Sequence, residues 1–310
     1  MPGWTGGSNG LFHDSFGTSK FSLIRKYQRG EFVTNVQDEL IELRGLRFHY
    51  RDWPSSNANA KDLVLLHGYT GHARSWDAFA AAMSDTYRVL ALDQRGHGET
   101  QWAPPQAYGT REMVTDLEAF VAAMGLSDFT LLGLSMGGIV SIGYAGARPP
   151  ELSRLVIVDI APEISAAGLQ KIVTNVARSD TFATREEAFA RARQDNPIPP
   201  VEHHRHRVYN SLMRTEEGLW TYRYDRALRD ASVPRETIPA EEGWELVANF
   251  NVPTLLIRGE LSDILAPEIA ERMAKDIPDC QLREVAGSGH PVPLDQPESF
   301  LEVAREFLTG

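Results

Sequence analysis

From Glu39 the chain alternates apolar and polar positions. "ELIEL" is followed by a turn at Arg44-Gly45 and then by "LRFHY". Period-2 alternation around a glycine turn predicts an antiparallel hairpin with one buried and one wet face. After a polar loop (residues 55–61) the pattern changes to short apolar runs: "LVLL" (63–66), "RVLAL" (88–92), "FTLL" (129–132), "LVIV" (155–158) and "TLLI" (254–257), with a weaker "QLREV" (281–285). Such runs are expected of parallel strands covered on both faces. Between them, "REMVTDLEAFVAAM" carries Met113, Val114, Leu117, Phe120, Val121 and Met124 at i, i+3/i+4 spacing, one apolar stripe of a helix. A leading hairpin followed by alternating strands and helices predicts an α/β fold, its sheet mostly parallel with helices on both faces.

The rhythm breaks after "LVIVDIAPEI". The next clear strand starts near Pro253, and the gap holds helical patterns ("LQKIVTNVARS", "REEAFARARQDN", "EHHRHRVYNSLM") and an aromatic stretch, "GLWTYRYDRAL". A connection of that length is expected to be an inserted subdomain above the C-terminal strand ends, where open α/β sheets bind ligands. The expected organisation is an N-terminal arm (1–37), a first core segment (38–163), a helical cap or lid (164–250) and a second core segment (251–310). The arm's aromatics, Trp4, Phe12, Phe16, Phe21, Tyr27 and Phe32, suit packing on the body or on a second copy, so a homodimer through the arm or the lid is an expectation.

Composition narrows the partners. The chain has 310 residues, 31 Lys+Arg against 42 Asp+Glu, and a net charge of −11. Nucleic acid or an anionic membrane as the main partner would require a basic face, so neither is expected. The cap is Arg-rich yet balanced, 12 Lys and Arg against 13 Asp and Glu over residues 164–250. The single cysteine, Cys280, excludes an intramolecular disulfide and is read as structural. No apolar stretch of signal-peptide type follows Met1 and no window reaches transmembrane length, so a cytoplasmic location is expected.

The chemistry centres on "LLGLSMGGIV". Gly133-Leu134-Ser135-Met136-Gly137 fits G-x-S-x-G, a match that chance supplies in roughly one chain in ten of this length. Its setting is more specific: an apolar strand runs into Ser135, and small residues that read as a helix follow. Strand, sharp turn and helix make a nucleophile elbow, which lifts the serine Oγ above the sheet beside the unused N–H groups of a helix N-terminus. The stretch does not read G-x-G-x-x-G, so a dinucleotide loop is not supported. A serine needs a base, and the base an orienting acid. His290, in "AGSGHPVPLDQPESF", lies after the last strand and is third in the order Ser…Asp…His. Asp263, in "TLLIRGELSDIL", is the expected acid. Asp159, at the end of "LVIV", is the alternative, and Glu260 is expected to face outward. The oxyanion donors are expected to be the backbone N–H of Met136 and that of Tyr69 in "LVLLHGYTGHARSW", with Thr70 as the alternative to Tyr69. His67 is expected to brace that loop.

"HGYTG", "LDQRGHGET", "GLSMGG", "RGELSDIL" and "GSGHPVPLDQPESF", in this succession across 38–163 and 251–310, resemble the serine α/β-hydrolase superfamily in its lidded branch of esterases, lactonases and C–C hydrolases. The resemblance implies the α/β-hydrolase fold, a lid over the site, a Ser-His-Asp triad, no cofactor and no metal. It makes the expected function that of an acyl hydrolase for a small-molecule substrate, a carboxylic ester by default, with an amide, a lactone or a vinylogous C–C bond as alternatives. Relatives with an aspartate nucleophile, the epoxide hydrolases and haloalkane dehalogenases, do not fit Ser135. Trp220, Tyr222, Tyr224 and Trp244, with the lid arginines, are expected to shape the pocket. His97, between glycines, is read as part of a structural turn, and His203 and His206 in "EHHRH" as a solvated helix face. A reading of another class is a ligand receptor that keeps the fold with slow turnover or none.

Overall fold

The computed structural model describes residues 35–165, 168, 170, 174 and 178–310. The arm over residues 1–34 and most of "LQKIVTNVARS" lie outside them. Eight strands form the main sheet: β1 (Gln37–Leu43), β2 (Leu46–Trp53), β3 (Lys61–Leu66), β4 (Tyr87–Leu92), β5 (Phe129–Leu134), β6 (Leu152–Val158), β10 (Thr254–Gly259) and β11 (Cys280–Val285). Their order is β1-β2-β4-β3-β5-β6-β10-β11, antiparallel from β1 to β4 and parallel beyond. The hairpin pairs Leu43 with Leu46 across Arg44 and Gly45, both at positive φ (51° and 78°). Those dihedrals belong to the tight turn whose twist matches antiparallel strands.

The apolar runs are buried on both faces. Val64, Leu66, Leu131, Leu155, Ile157 and Leu256 face one core, under helices α2 (Thr110–Met124), α3 (Met136–Gly146), α6 (Ala240–Ala248) and α7 (Pro267–Asp276). Leu63, Leu65, Leu132, Val156, Val158, Leu255 and Ile257 face the other, with Trp76, Phe79, Phe300 and Phe307 from α1 (Asp77–Met83), α9 (Pro297–Thr309) and the turn before α1. Alternate residues of one strand thus serve two cores, which is why these strands read as unbroken hydrophobic stretches.

Between β6 and β10 the chain builds a second, smaller unit. It holds α4 (Arg185–Asp195), α5 (Val201–Asn210) and a three-stranded sheet, β7 (Thr181–Phe182), β9 (Trp220–Tyr222) and β8 (Leu212–Arg214). Phe182, Ala188, Val208 and Leu212 form its own small core. The last helix of the 164–250 segment, α6, packs instead on α3, and its Val247 is buried in the main core. The unit is tied to the sheet side by His206 of α5, which hydrogen-bonds Asp77 at 2.9 Å, and by backbone pairing of His97 with Tyr224. A short helix, α8 (Val292–Asp295), and then α9 complete the C-terminal end.

Candidate active site

Ser135 sits between the last residue of β5 and the first of α3, with φ 53° and ψ −116°. This left-handed backbone is held by both neighbours: Ser135 N–H donates to the Val158 carbonyl (3.0 Å), and Ser135 C=O accepts from Ile139 N–H (3.0 Å). The flanking glycines answer a steric demand. A Cβ on Gly133 would lie 2.3 Å from the Gly137 carbonyl oxygen, and one on Gly137 would lie 2.5 Å from that of Leu66. Strand and helix therefore approach at backbone distance, and the serine is the residue pushed out of the turn.

His290 arrives from the loop after β11. Its Nε2 lies 2.9 Å from Ser135 Oγ, and its Nδ1 lies 2.8 Å from Asp159 Oδ2. An ionised carboxylate only accepts, so Nδ1 carries the proton and Nε2 is the acceptor facing the serine hydroxyl. The loop is pinned from two sides: Gly289 N–H donates to Asp295 Oδ2 (2.8 Å), and Leu261 N–H to the Ser288 carbonyl (2.8 Å). Glu260, expected to face outward, caps the same loop by accepting from Gly287 N–H at 2.7 Å.

The carboxylate beside His290 is Asp159, which corrects the expectation placed on Asp263. Asp159 directly follows β6, the sheet neighbour of β5, and is fully buried with φ 53°. Gly259 N–H donates to its Oδ1 (2.8 Å), and Ser262 Oγ–H joins His290 in donating to Oδ2. Asp263 lies four residues beyond β10, past the turn in which Ser262 N–H bonds the Gly259 carbonyl (3.0 Å). By then the chain has left the strand end, and it is Ser262, not Asp263, that reaches the site; Asp263 uses its main-chain carbonyl to accept from Ser165 Oγ. Both aspartates fit the order Ser…Asp…His. The signal that separates them is adjacency, because "LVIVD" puts a carboxylate at the first position past an apolar strand.

The loop after β3 faces the serine. Gly71 N–H closes a turn on the Gly68 carbonyl (2.9 Å), with Thr70 at φ 60°, and a Cβ on Gly68 would lie 3.2 Å from that of Ser135. His67 braces this turn. Gln94 N–H donates to its Nε2 (3.1 Å), so its Nδ1–H points at the Gly68 carbonyl (2.8 Å). Burial pushes the His67 pKa down, which keeps the ring neutral and this tautomer in place. His97 is buried against His67, with ring centroids 5.1 Å apart; burial, with His67 next to it, pulls its pKa down to about 3. His97 stands behind the loop and does not reach the serine–histidine pair.

A cavity of about 390 Å³ opens above Ser135 and His290. Tyr69, Tyr222 and Tyr224 line it, and the last two stack with centroids 6.1 Å apart. Trp220 is not among its walls. It shares a sheet face with Tyr222 but lies about 7 Å further along the strand, where Arg185 and Arg214 sit over its ring at 5.1 and 4.4 Å. Trp244 is likewise elsewhere, bonded to Glu163 (3.0 Å) beneath Arg272. Of the aromatic residues expected at the pocket, Tyr222 and Tyr224 line this cavity and the two tryptophans do not. The sequence assigns no role to Ser262, in a loop, or to Asp295, at the end of α8, because their short polar side chains carry no pattern of their own.

The model of the alpha/beta hydrolase fold family matches residues 62–297, a span that includes Ser135, Asp159 and His290. The chain belongs to the alpha/beta hydrolase family. It is 28% identical over 276 residues to a 3-hydroxybutyrate-oligomer hydrolase of Cupriavidus necator, covering 85% of this chain and 93% of that one. It is 25% identical over 302 residues to an esterase of Mycobacterium tuberculosis, covering 94% and 96%. The crystal structure of an alpha/beta hydrolase from Novosphingobium aromaticivorans superposes with a TM-score of 0.78 at 26% identity, over 90% of this chain and all of that one. These relatives of the family are hydrolases, which supports a hydrolase here. Among the described residues, no helix is long and apolar enough to cross a membrane.

Proposed function

We propose that the protein is a serine hydrolase that cleaves a small carboxylic ester through an acyl-enzyme. The observation that carries this reading is the unbroken relay from Ser135 Oγ through His290 to Asp159, at 2.9 and 2.8 Å. In the reaction, Ser135 Oγ attacks the carbonyl carbon as His290 Nε2 takes its proton. Asp159, held by Gly259 and Ser262, stabilises the imidazolium and fixes its orientation. The backbone N–H groups of Met136, at the start of α3, and of Tyr69, in the turn braced by His67, receive the oxyanion. The imidazolium then protonates the departing alkoxide, water enters with His290 as base, and the acid product leaves Ser135. Turnover of p-nitrophenyl acetate and butyrate tests the reading: wild type is active, and Ser135→Ala loses about 10,000-fold or more in kcat. Wild type without turnover of any activated ester contradicts it.

A further inference from the structure

The cavity wall carries charge that ester cleavage itself does not use. Among the described residues, three arginines, Arg178, Arg191 and Arg207, face the cavity together with one carboxylate, Asp195. Two of them are engaged. Arg178 contacts both oxygens of Asp195 at 2.9 Å. Arg191 donates to the Ser179 carbonyl (2.6 Å) and lies 4.2 Å above the Phe182 ring.

Arg207 differs. It occupies the last turn of α5, and its main-chain carbonyl accepts from His72 Nε2 at 3.2 Å, which ties that turn to the loop after β3. Among the described residues, no hydrogen-bond acceptor and no carboxylate pairs with its guanidinium. Burial pulls its pKa below the usual arginine value, opposed by Tyr222 and Asp295. Asp295 accepts from Asn196 Nδ2 (2.7 Å) and from Gly289 N–H (2.8 Å) while its charge also acts on Arg207. A guanidinium stays protonated at any ordinary pH. The cavity therefore presents a half-buried cation whose guanidinium is hydrogen-bonded to none of the described residues, inside a protein whose net charge is −11. A carboxylate entering beside it would gain a charge-assisted fork of hydrogen bonds, and low-dielectric walls focus the field of the cation on an entering anion.

We propose that the substrate is an ester bearing a free carboxylate, and that Arg207 binds this carboxylate while Ser135 attacks the ester carbonyl at the other end. The fork of N–H donors matches a carboxylate bidentately, and the cavity volume suits a small organic acid. This inference rests on the assignment of Ser135 as nucleophile. Arg207 thereby acts as the residue that selects and orients the substrate.

The test compares mono-p-nitrophenyl succinate, glutarate and adipate with p-nitrophenyl butyrate, valerate and hexanoate, pairs matched in chain length. In wild type the best anionic ester exceeds its neutral partner in kcat/KM by about 10-fold or more. Arg207→Ala lowers that ratio by about 30-fold or more, and Arg207→Lys restores part of it. In wild type, free glutarate competes with p-nitrophenyl valerate whereas pentanamide does not, a measurement that needs no variant. Neutral esters preferred at every length, a ratio unmoved by Arg207→Ala, or equal inhibition by glutarate and pentanamide each overturn the inference while leaving the hydrolase intact. Absence of turnover of both series, together with no fluorophosphonate adduct on Ser135, instead overturns the underlying assignment.

Discussion

Ser135 and Asp159 stand at the ends of adjacent parallel strands, and both hold φ 53°, with Ser135 N–H bonded to the carbonyl of Val158, the residue before Asp159. Left-handed backbone at a residue other than glycine costs about 1–2 kcal/mol. Here it occurs twice within one turn of sheet, at the two residues whose side chains approach His290 from opposite sides. The strain turns two side chains out of the sheet toward a single imidazole.

That relationship separates the two aspartates by experiment. Asp159→Asn replaces a carboxylate by an amide that favours the wrong imidazole tautomer, and kcat falls about 10,000-fold. Asp263→Asn stays within about 3-fold of wild type, as expected of a group outside the hydrogen-bonded relay. Steady-state ester hydrolysis by both variants checks this; the reverse ranking would move the acid to Asp263.

The elbow leaves no room for a methyl group. In Gly137→Ala the added Cβ would lie 2.5 Å from the Leu66 carbonyl oxygen and 2.7 Å from Leu66 Cβ, both on β3. Overpacking of this kind costs about 1–3 kcal/mol, and the strand or the helix must shift. Thermal unfolding of the variant is expected several degrees below wild type, with activity lost through displacement of Ser135. An unchanged Tm together with full activity would show that the strand and helix are not so tightly apposed.

Acid stability has an identifiable source away from Ser135, His290 and Asp159. Asp93 is buried, which opposes its ionisation, yet it accepts from His49 (2.7 Å), Ala73 N–H (2.6 Å) and Glu99 N–H (2.9 Å). The net effect holds its pKa down at about 2, below the ordinary 3.8. A lowered carboxylate pKa contributes stability that is complete above the unfolded value and is lost as pH falls through the folded one. The expected contribution is about 2 kcal/mol at neutral pH, disappearing between about pH 4 and pH 2. Urea unfolding of wild type should weaken across that interval, and Asp93→Asn should weaken at neutral pH and flatten the dependence. A wild-type curve parallel to that of Asp93→Asn throughout the interval would remove Asp93 from the account.

The unit between β6 and β10 is fastened by His206, which hydrogen-bonds Asp77 on α1, itself bonded to Arg51. His206→Ala is expected to raise the rate of limited proteolysis within residues 178–235 several-fold, since local opening is governed by the contacts that close a segment. Core fragments should keep their protection. Unchanged cleavage would show that the other ties, among them the His97–Tyr224 pairing and the Asn196–Asp295 and Tyr108–Asp225 hydrogen bonds, suffice.

The main sheet was legible because its residues obey one rule each. "LVLL" is apolar throughout and "FTLL" and "TLLI" nearly so, with one threonine each, since both faces of β3, β5 and β10 are covered. Ser135 and His290 were legible because glycines and strand ends surround them. The acid was less so: two aspartates follow two neighbouring strands in the correct order, and only the three-dimensional turn at Gly259–Ser262 decides which carboxylate the imidazole meets. Trp220 misled for a related reason. The sheet period places Trp220 and Tyr222 on one face, but it does not tell where along the strand the cavity ends. Arg207 was invisible as an individual, one of 12 basic residues in a segment of balanced charge. That its guanidinium bonds to none of the described residues is a property of packing, not of composition.

The central claim is that Ser135 is a nucleophile activated by His290. Intact-protein mass spectrometry after treatment with a fluorophosphonate, followed by peptide mapping, tests it most directly. The account predicts one adduct per chain, on Ser135, absent in Ser135→Ala and slowed about 1,000-fold or more in His290→Ala. No adduct on the wild-type protein, or labelling of Ser135 at the same rate without His290, would contradict it.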